Sequence, residues 1–147
     1  MTADYHSLNA MLNLYDEDGN IQFDKDHEAV DAFLAEHVAP RMIRFESTRE
    51  RLRYLVDHHY YEYDVFSKYS PEFLDAFYAH ADALPHRFET FLGAFKFYRS
   101  YALKTFDGEH YLEDFPQRAA AVSLALADGD EPMAMRTLDE IVLGRFQ

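Results

Sequence analysis

The 147-residue chain contains no cysteine and no tryptophan. Without cysteine it can form no disulfide and no zinc–thiolate centre, and it can carry out no thiol chemistry. Glycine is scarce, at five residues. None of these glycines opens a Gly-x-x-x-x-Gly-Lys loop, so no phosphate cradle of that kind is encoded. No serine sits in a Gly-x-Ser-x-Gly elbow, which leaves a hydrolase triad without positive support. No apolar run approaches the roughly 18 residues of a membrane span. The start, Met1-Thr2-Ala3-Asp4-Tyr5-His6, has no basic segment leading into an apolar one, so a secretory signal is not expected and the cytoplasm is the default compartment. Positive charge is also in short supply. Fourteen Lys and Arg face 27 Asp and Glu, a net charge of −13, which excludes the clustered cations of a nucleic-acid footprint or of binding to an anionic membrane.

Aromatic residues are abundant, with 13 Phe and 11 Tyr, and each buries a large area in a core. The apolar spacing is helical almost throughout and implies an all-α fold. Val30, Phe33, Leu34, His37 and Val38 share one helix face, with Asp24 as N-cap and Pro40 as terminator. Ser47-Thr48-Arg49-Glu50 reads as a capping box. It opens a helix with Leu52, Leu55, Val56, His59 and Tyr60 on one side, which places His59 at a helix–helix seam. Ser70-Pro71 starts the next helix, striped by Phe73, Leu74, Phe77, Tyr78 and Ala81 and closed by Pro85. Phe88, Phe91, Leu92 and Phe95 begin another that runs toward Tyr101, and Asp107-Gly108 marks a turn. Arg118 to Ala127 is small and apolar on nearly every side, so a buried helix is expected there, with Leu126 in the core. Asp130 caps a last helix carrying Ala134, Leu138, Ile141 and Val142, and Gly144 ends it. Asp16-Glu17-Asp18-Gly19-Asn20 is a turn cluster followed by the alternating Ile21-Gln22-Phe23, so at most one small β-hairpin is expected, near Gly19. A soft boundary falls at Ala83-Leu84-Pro85-His86.

Eight histidines and many carboxylates invite a metal reading. However, the chain has no Glu-x-x-His and no His-Glu-x-x-His, and Asp24-x-x-His27 and Asp107-x-x-His110 fall at turns. No metal site is assigned. The aromatic block from Phe88 to Tyr101, with Lys96, Arg99 and Lys104, has the ingredients of a base-stacking platform. Its apolar spacing fits a buried stripe better, with the three cations on the wet face.

Arg87-Phe88-Glu89-Thr90-Phe91-Leu92-Gly93-Ala94-Phe95-Lys96-Phe97-Tyr98, continuing through Ser100-Tyr101-Ala102-Leu103-Lys104-Thr105-Phe106-Asp107-Gly108 to Tyr111-Leu112-Glu113 and Arg118, resembles the N-terminal region of a class Ib ribonucleotide reductase large subunit. So do Leu8-Asn9-Ala10-Met11-Leu12-Asn13-Leu14-Tyr15-Asp16, Ile21 to Asp26, Tyr54-Leu55-Val56, Leu124-Ala125-Leu126-Ala127 and Gly144-Arg145-Phe146-Gln147, in the same order. The ordered set, rather than any single motif, carries the likeness.

The resemblance implies a parent enzyme that reduces ribonucleoside diphosphates with cysteine radicals and a cysteine pair. A small subunit with a dimanganese or di-iron tyrosyl radical would generate the radical. The parent would be a homodimer of large subunits, and an adenine nucleotide is a candidate effector. Since this chain lacks cysteine, it is expected to be the part ahead of the catalytic barrel, with no catalytic residue and no cofactor of its own. Its role would then be structural and regulatory. The alternative is an independent acidic helical protein-binding module derived from the reductase. By the same resemblance, residues 1–85 would form a shortened ATP-cone-like region and residues 86–147 the start of the helical domain. Complete cones carry a basic residue before their Asp-Gly turn; here Glu17 precedes Asp18-Gly19, a repulsion of about 1 kcal/mol or more against a polyphosphate. The patch that holds a deoxyadenosine nucleotide in some shortened cones reads Arg44-Phe45-Glu46-Ser47 here, with Glu46 where a histidine is common. The effector-binding candidates are therefore Arg44, Phe45 and Lys96, with weak or no binding of ATP expected.

Overall fold

A computed structural model of the chain describes residues 23–144, with side chains from Asp26 onward. Seven α-helices follow one another: α1 (Phe23–Phe33), α2 (Thr48–Asp57), α3 (Tyr63–Phe66), α4 (Pro71–Ala83), α5 (Phe91–Lys96), α6 (Phe115–Ala127) and α7 (Glu131–Val142). Among the described residues there is no β-sheet, only isolated bridges at Tyr111. The expected turn cluster and hairpin near Gly19 lie outside the described residues, as do Ile21 and Gln22. Phe23 is helical, and Asp24 lies inside α1 instead of capping it. The chain forms two compact units, one from the segments up to Met42 and Arg87–Leu112, the other from Ile43–His86 and Glu113 onward.

The first unit is organised around an aromatic cluster. Ala29, Val30 and Phe33 form the buried face of α1. The helix then widens into a π-helical turn, Leu34–Val38, and tightens into a 3-10 turn, Ala39–Arg41, that contains Pro40. The π turn directs His37 and Val38 inward. α5 is capped by Thr90, whose Oγ1 accepts the Gly93 N–H at 3.0 Å. The buried Asp26 carboxylate accepts the Phe91 N–H at 2.7 Å, so it satisfies one of the orphan donors at the helix start. α5 also widens into a π turn, Phe97–Tyr101. Phe33 is the hub, with ring centroids 5.6 Å from Phe91, 6.1 Å from Phe95 and 6.2 Å from Tyr98, all edge-on, the geometry that aromatic quadrupoles favour. Leu92, placed by its spacing in the stripe, is 68% exposed. The helix begins only at Phe91, so Phe91, Ala94, Phe97 and Tyr98 are its buried positions.

In the second unit, local capping agrees with the sequence signals. Ser47 accepts from Glu50 N, Ser70 from Phe73 N and Asp130 from Met133 N. The Ser47 box is only half made, because Glu50 Oε2 accepts from Glu46 N at 3.3 Å instead of closing on Ser47. A full capping box forms at Asp114 and Gln117. α6 packs on α4 and α7. Ala119, Ala120, Ala121, Ser123, Leu124 and Ala127 form its buried surface, small residues that permit close helix approach. Its last turn is held from a distance: the Tyr69 hydroxyl donates to Leu124 O at 2.7 Å and accepts from Gly129 N at 2.9 Å. Asp128 (φ +51°) and Gly129 (φ +96°) then turn the chain in the left-handed region.

Two expectations for this unit fail. Leu126 is 60% exposed, not core. α6 is buried as a helix, but Leu126 falls two residues from Leu124, about 200° around the axis. His59 is exposed in a left-handed conformation (φ +66°), because α2 ends at Asp57 and the seam passes through Leu52 and Leu55.

Candidate functional site

A cavity of about 240 Å³ opens in the first unit where both π turns converge. Its apolar wall is Phe33, Phe95 and Tyr111, and three cations, Arg41, Arg99 and Lys104, surround it. Each cation is fixed by a different piece of backbone. Arg41 ends the 3-10 turn, and its carbonyl accepts the Tyr111 N–H at 2.9 Å. Arg99 lies in the π turn after α5, with its guanidinium carbon 5.7 Å from the Phe95 ring centroid. Lys104 sits in the loop that pairs back on Tyr111. Its Nζ donates to Arg99 O at 2.6 Å and lies 5.7 Å from the Tyr111 ring centroid. π turns recur at functional sites because they reposition side chains that a regular helix would stack.

His37 completes the wall. Its ring stacks on Phe33 at 5.2 Å, and its Nε2 lies 3.2 Å from the Tyr111 hydroxyl. Burial, reinforced by the Arg41 charge, holds the His37 imidazole below the ordinary histidine pKa. Burial, reinforced by Arg99, lowers the Lys104 ammonium from its usual value. Both shifts report an electropositive recess within a chain of net charge −13. Among the described residues no carboxylate lies within 4 Å of the charged nitrogens of Arg41, Arg99 or Lys104, although seven other ion pairs occur. The rim is open at Gly108 (φ +76°), where a Cβ would meet nothing within 4 Å.

The effector candidates read from the sequence are placed elsewhere. Arg44 and Phe45 belong to the second unit and Lys96 to the first. Arg44 is exposed, and Phe45 packs its ring 5.3 Å from Tyr54. Lys96 is exposed at the end of α5, and none of the three lines the cavity. The expected wet face of the aromatic block also divides. Lys96 and Arg99 are exposed, whereas Lys104 is half-buried in the loop. Among the described residues no group of three or more His, Asp or Glu is placed to hold a metal ion.

Sequence reasoning also missed a buried polar cluster in the second unit. Arg51 is 5% exposed, and its Nη2 donates to the Tyr61 hydroxyl at 3.0 Å. That hydroxyl donates in turn to Glu113 Oε2. Glu113 is fully buried, with Arg118 Nη1 3.4 Å from its other oxygen. Burial pushes the Tyr78 hydroxyl up to about 12, and the Tyr61 hydroxyl well above its ordinary value. The one available signal was register: Arg51 lies four residues before Leu55, on the buried face of α2.

The chain matches two adjoining protein families, the ribonucleotide reductase N-terminal family over residues 5–86 and the ribonucleotide reductase all-alpha domain over residues 87–147. It is 41% identical over 143 residues to the ribonucleoside-diphosphate reductase subunit alpha of Mycoplasma genitalium, and 42% identical over 143 residues to that of Mycoplasma pneumoniae. Each alignment covers 97% of this chain. The Bacillus subtilis subunit alpha is 37% identical over 131 residues, 89% of this chain. The chain spans 19% of the length of each of these three relatives.

Proposed function

The chain belongs to the ribonucleotide reductase large-subunit family, as its N-terminal and all-alpha regions, and from that premise we propose that it serves the reduction of ribonucleoside diphosphates without performing the chemistry itself. The observation that carries this reading is the 41–42% identity over 97% of the chain to two reductase alpha subunits. The absence of cysteine assigns it a supporting role. Thiyl-radical and dithiol chemistry need sulfur that these residues lack.

Within that reading the subunit is of class Ib, supported by the ordered matches from Leu8-Asn9-Ala10-Met11 through Gly144-Arg145-Phe146-Gln147. Residues 1–85 act as a shortened cone and residues 86–147 as the start of the helical domain. The partners are the rest of a large subunit, a second large subunit, and a small subunit that supplies a tyrosyl radical from a dimanganese or di-iron centre. The compartment is the cytoplasm; among the described residues no helix is long and apolar enough to cross a membrane. Regulation by an adenine nucleotide is weak at Arg44, Phe45 and Lys96, which stand as separate exposed or half-buried positions on two units.

The purified chain, incubated with its small subunit, a reductant and a ribonucleoside diphosphate, is expected to form no deoxynucleotide above background. A large subunit that carries this region is expected to turn over, and to lose that activity when the region is deleted. Turnover by the chain alone, or full activity of the deleted subunit, overturns the assignment.

A further inference from the structure

We propose that the recess bounded by Arg41, Arg99 and Lys104 is a binding site for a phosphomonoester, with the phosphate among the three cations and a flat apolar group against Phe95 and Tyr111. This goes beyond the role proposed above, which assigns the recess nothing.

Three observations converge on it. The first is charge. Three cations with no carboxylate within 4 Å gather at one cavity, in a chain where acids outnumber bases 27 to 14. Cations scattered at random on so acidic a surface would find carboxylates, as Arg49, Lys68 and Arg87 do. The second is donor capacity. Lys104 spends one N–H on Arg99 O and keeps two. Among the described residues the Arg41 and Arg99 guanidinium groups donate no hydrogen bond, which leaves their planar forks available for phosphate oxygens. The third is size. About 240 Å³ lies below the roughly 300–1,000 Å³ of pockets for drug-sized ligands. The space suits one phosphate with a small ring, and a triphosphate overfills it. The aromatic wall and the open rim at Gly108 give the ring a surface and an entrance.

The test is calorimetric titration of the 147-residue chain with phenyl phosphate, phenol, inorganic phosphate and adenosine monophosphate at low ionic strength. Phenyl phosphate is expected to bind at least about tenfold more tightly than phenol, and to weaken as salt shortens the Debye length from about 30 Å at 0.01 M to about 8 Å at 0.15 M. Arg99→Ala is the first variant, because this exposed side chain carries little packing. It is expected to raise the dissociation constant about tenfold with an unchanged circular dichroism spectrum, and Arg99→Glu to abolish binding. Should either variant unfold, titration of the wild-type chain followed by the NMR signals of His37 and Tyr111 reads the same site. Adenosine monophosphate binding more tightly than phenyl phosphate identifies a nucleotide as the source of the phosphate, and the reverse order identifies a smaller metabolite. Equal binding of phenol and phenyl phosphate, no saturation below about 10 mM for any phosphate, which corresponds to an affinity weaker than about −3 kcal/mol, or unchanged affinity in Arg99→Glu overturns the proposal. None of these results bears on the reductase assignment, which the activity of the deleted subunit decides separately.

Discussion

Replacing Glu113 by glutamine probes the buried cluster of the second unit most directly. The wild-type carboxylate is fully excluded from water and faces Arg118 at 3.4 Å. Through the Tyr61 hydroxyl it also reaches Arg51, which is itself buried beneath the Tyr61 and Tyr78 rings at 5.6 and 5.7 Å. Glutamine keeps the shape and one acceptor oxygen, so packing is held constant while the negative charge is removed. Breaking a buried ion pair by neutralising one partner costs about 3–5 kcal/mol, because the other charge stays buried. The Arg118 side chain is 32% exposed and recovers some hydration, which moves the expectation to the lower end, about 3 kcal/mol. Tyr61→Phe should cost about 1–3 kcal/mol, since it strips a hydroxyl from two buried charged groups. The two changes share partners, so together they should cost less than their sum by about 1 kcal/mol. Urea denaturation followed by circular dichroism measures all three. A loss below about 1 kcal/mol for Glu113→Gln would show that Glu113 carries no net charge in the folded chain or that water reaches it, and the electrostatic account would be refuted.

The two leucines of α6 should separate cleanly. Leu124→Ala is expected to cost about 3–5 kcal/mol through the cavity it leaves, and Leu126→Ala less than about 0.5 kcal/mol, read as a difference in urea midpoint. Asp130→Ala removes the cap of α7 and should cost about 1 kcal/mol, and Asp130→Asn should restore most of it in the same denaturation series. Acid stability follows from His37 and His86, both held below the ordinary histidine value by burial, with Asp114 opposing the shift at His86. A depressed folded-state pKa gives stability that is complete above about pH 6.5 and lost as pH falls through the lowered values. Thermal midpoints should therefore decline between about pH 6.5 and 5, and less steeply in His86→Gln. Alkaline stability has the opposite sign. Tyr78 is raised to about 12, so its contribution is complete below about pH 10 and lost as pH rises through 12, and Tyr78→Phe should flatten that limb of the curve.

Helix content was legible because its signals are local. Ser70-Pro71, Asp130 and the stripe of α4 each specify a cap or a face within a few residues, and the chain folds as they direct. Side-chain placement was legible only where a helix stays regular. His59 could not be placed, because the left-handed stop after Asp57 carries no glycine to announce it. Leu126 was misplaced because Ala and Leu on all sides of α6 leave no polar face to fix its rotation. The recess was illegible for a different reason. Arg41, Arg99 and Lys104 come from three segments, and two of them are delivered by helix irregularities that do not alter hydrophobic spacing enough to be seen. The family likeness gave the lineage of the chain, but it directed attention to Arg44, Phe45 and Lys96 and away from the cavity.

The two π turns have a consequence for how the chain tolerates change in length. Each is one residue wider than a regular turn, so each behaves as an insertion that the helix has absorbed without breaking. Deleting a single residue from Leu34–Val38 would let the segment relax to ordinary α geometry and rotate everything beyond it by about 100°. Val38 and Arg41 would then leave their present directions although no side chain had been altered. At these two places the count of residues carries information that composition does not. Substitutions there should be absorbed more readily than deletions, the reverse of what surface loops usually show.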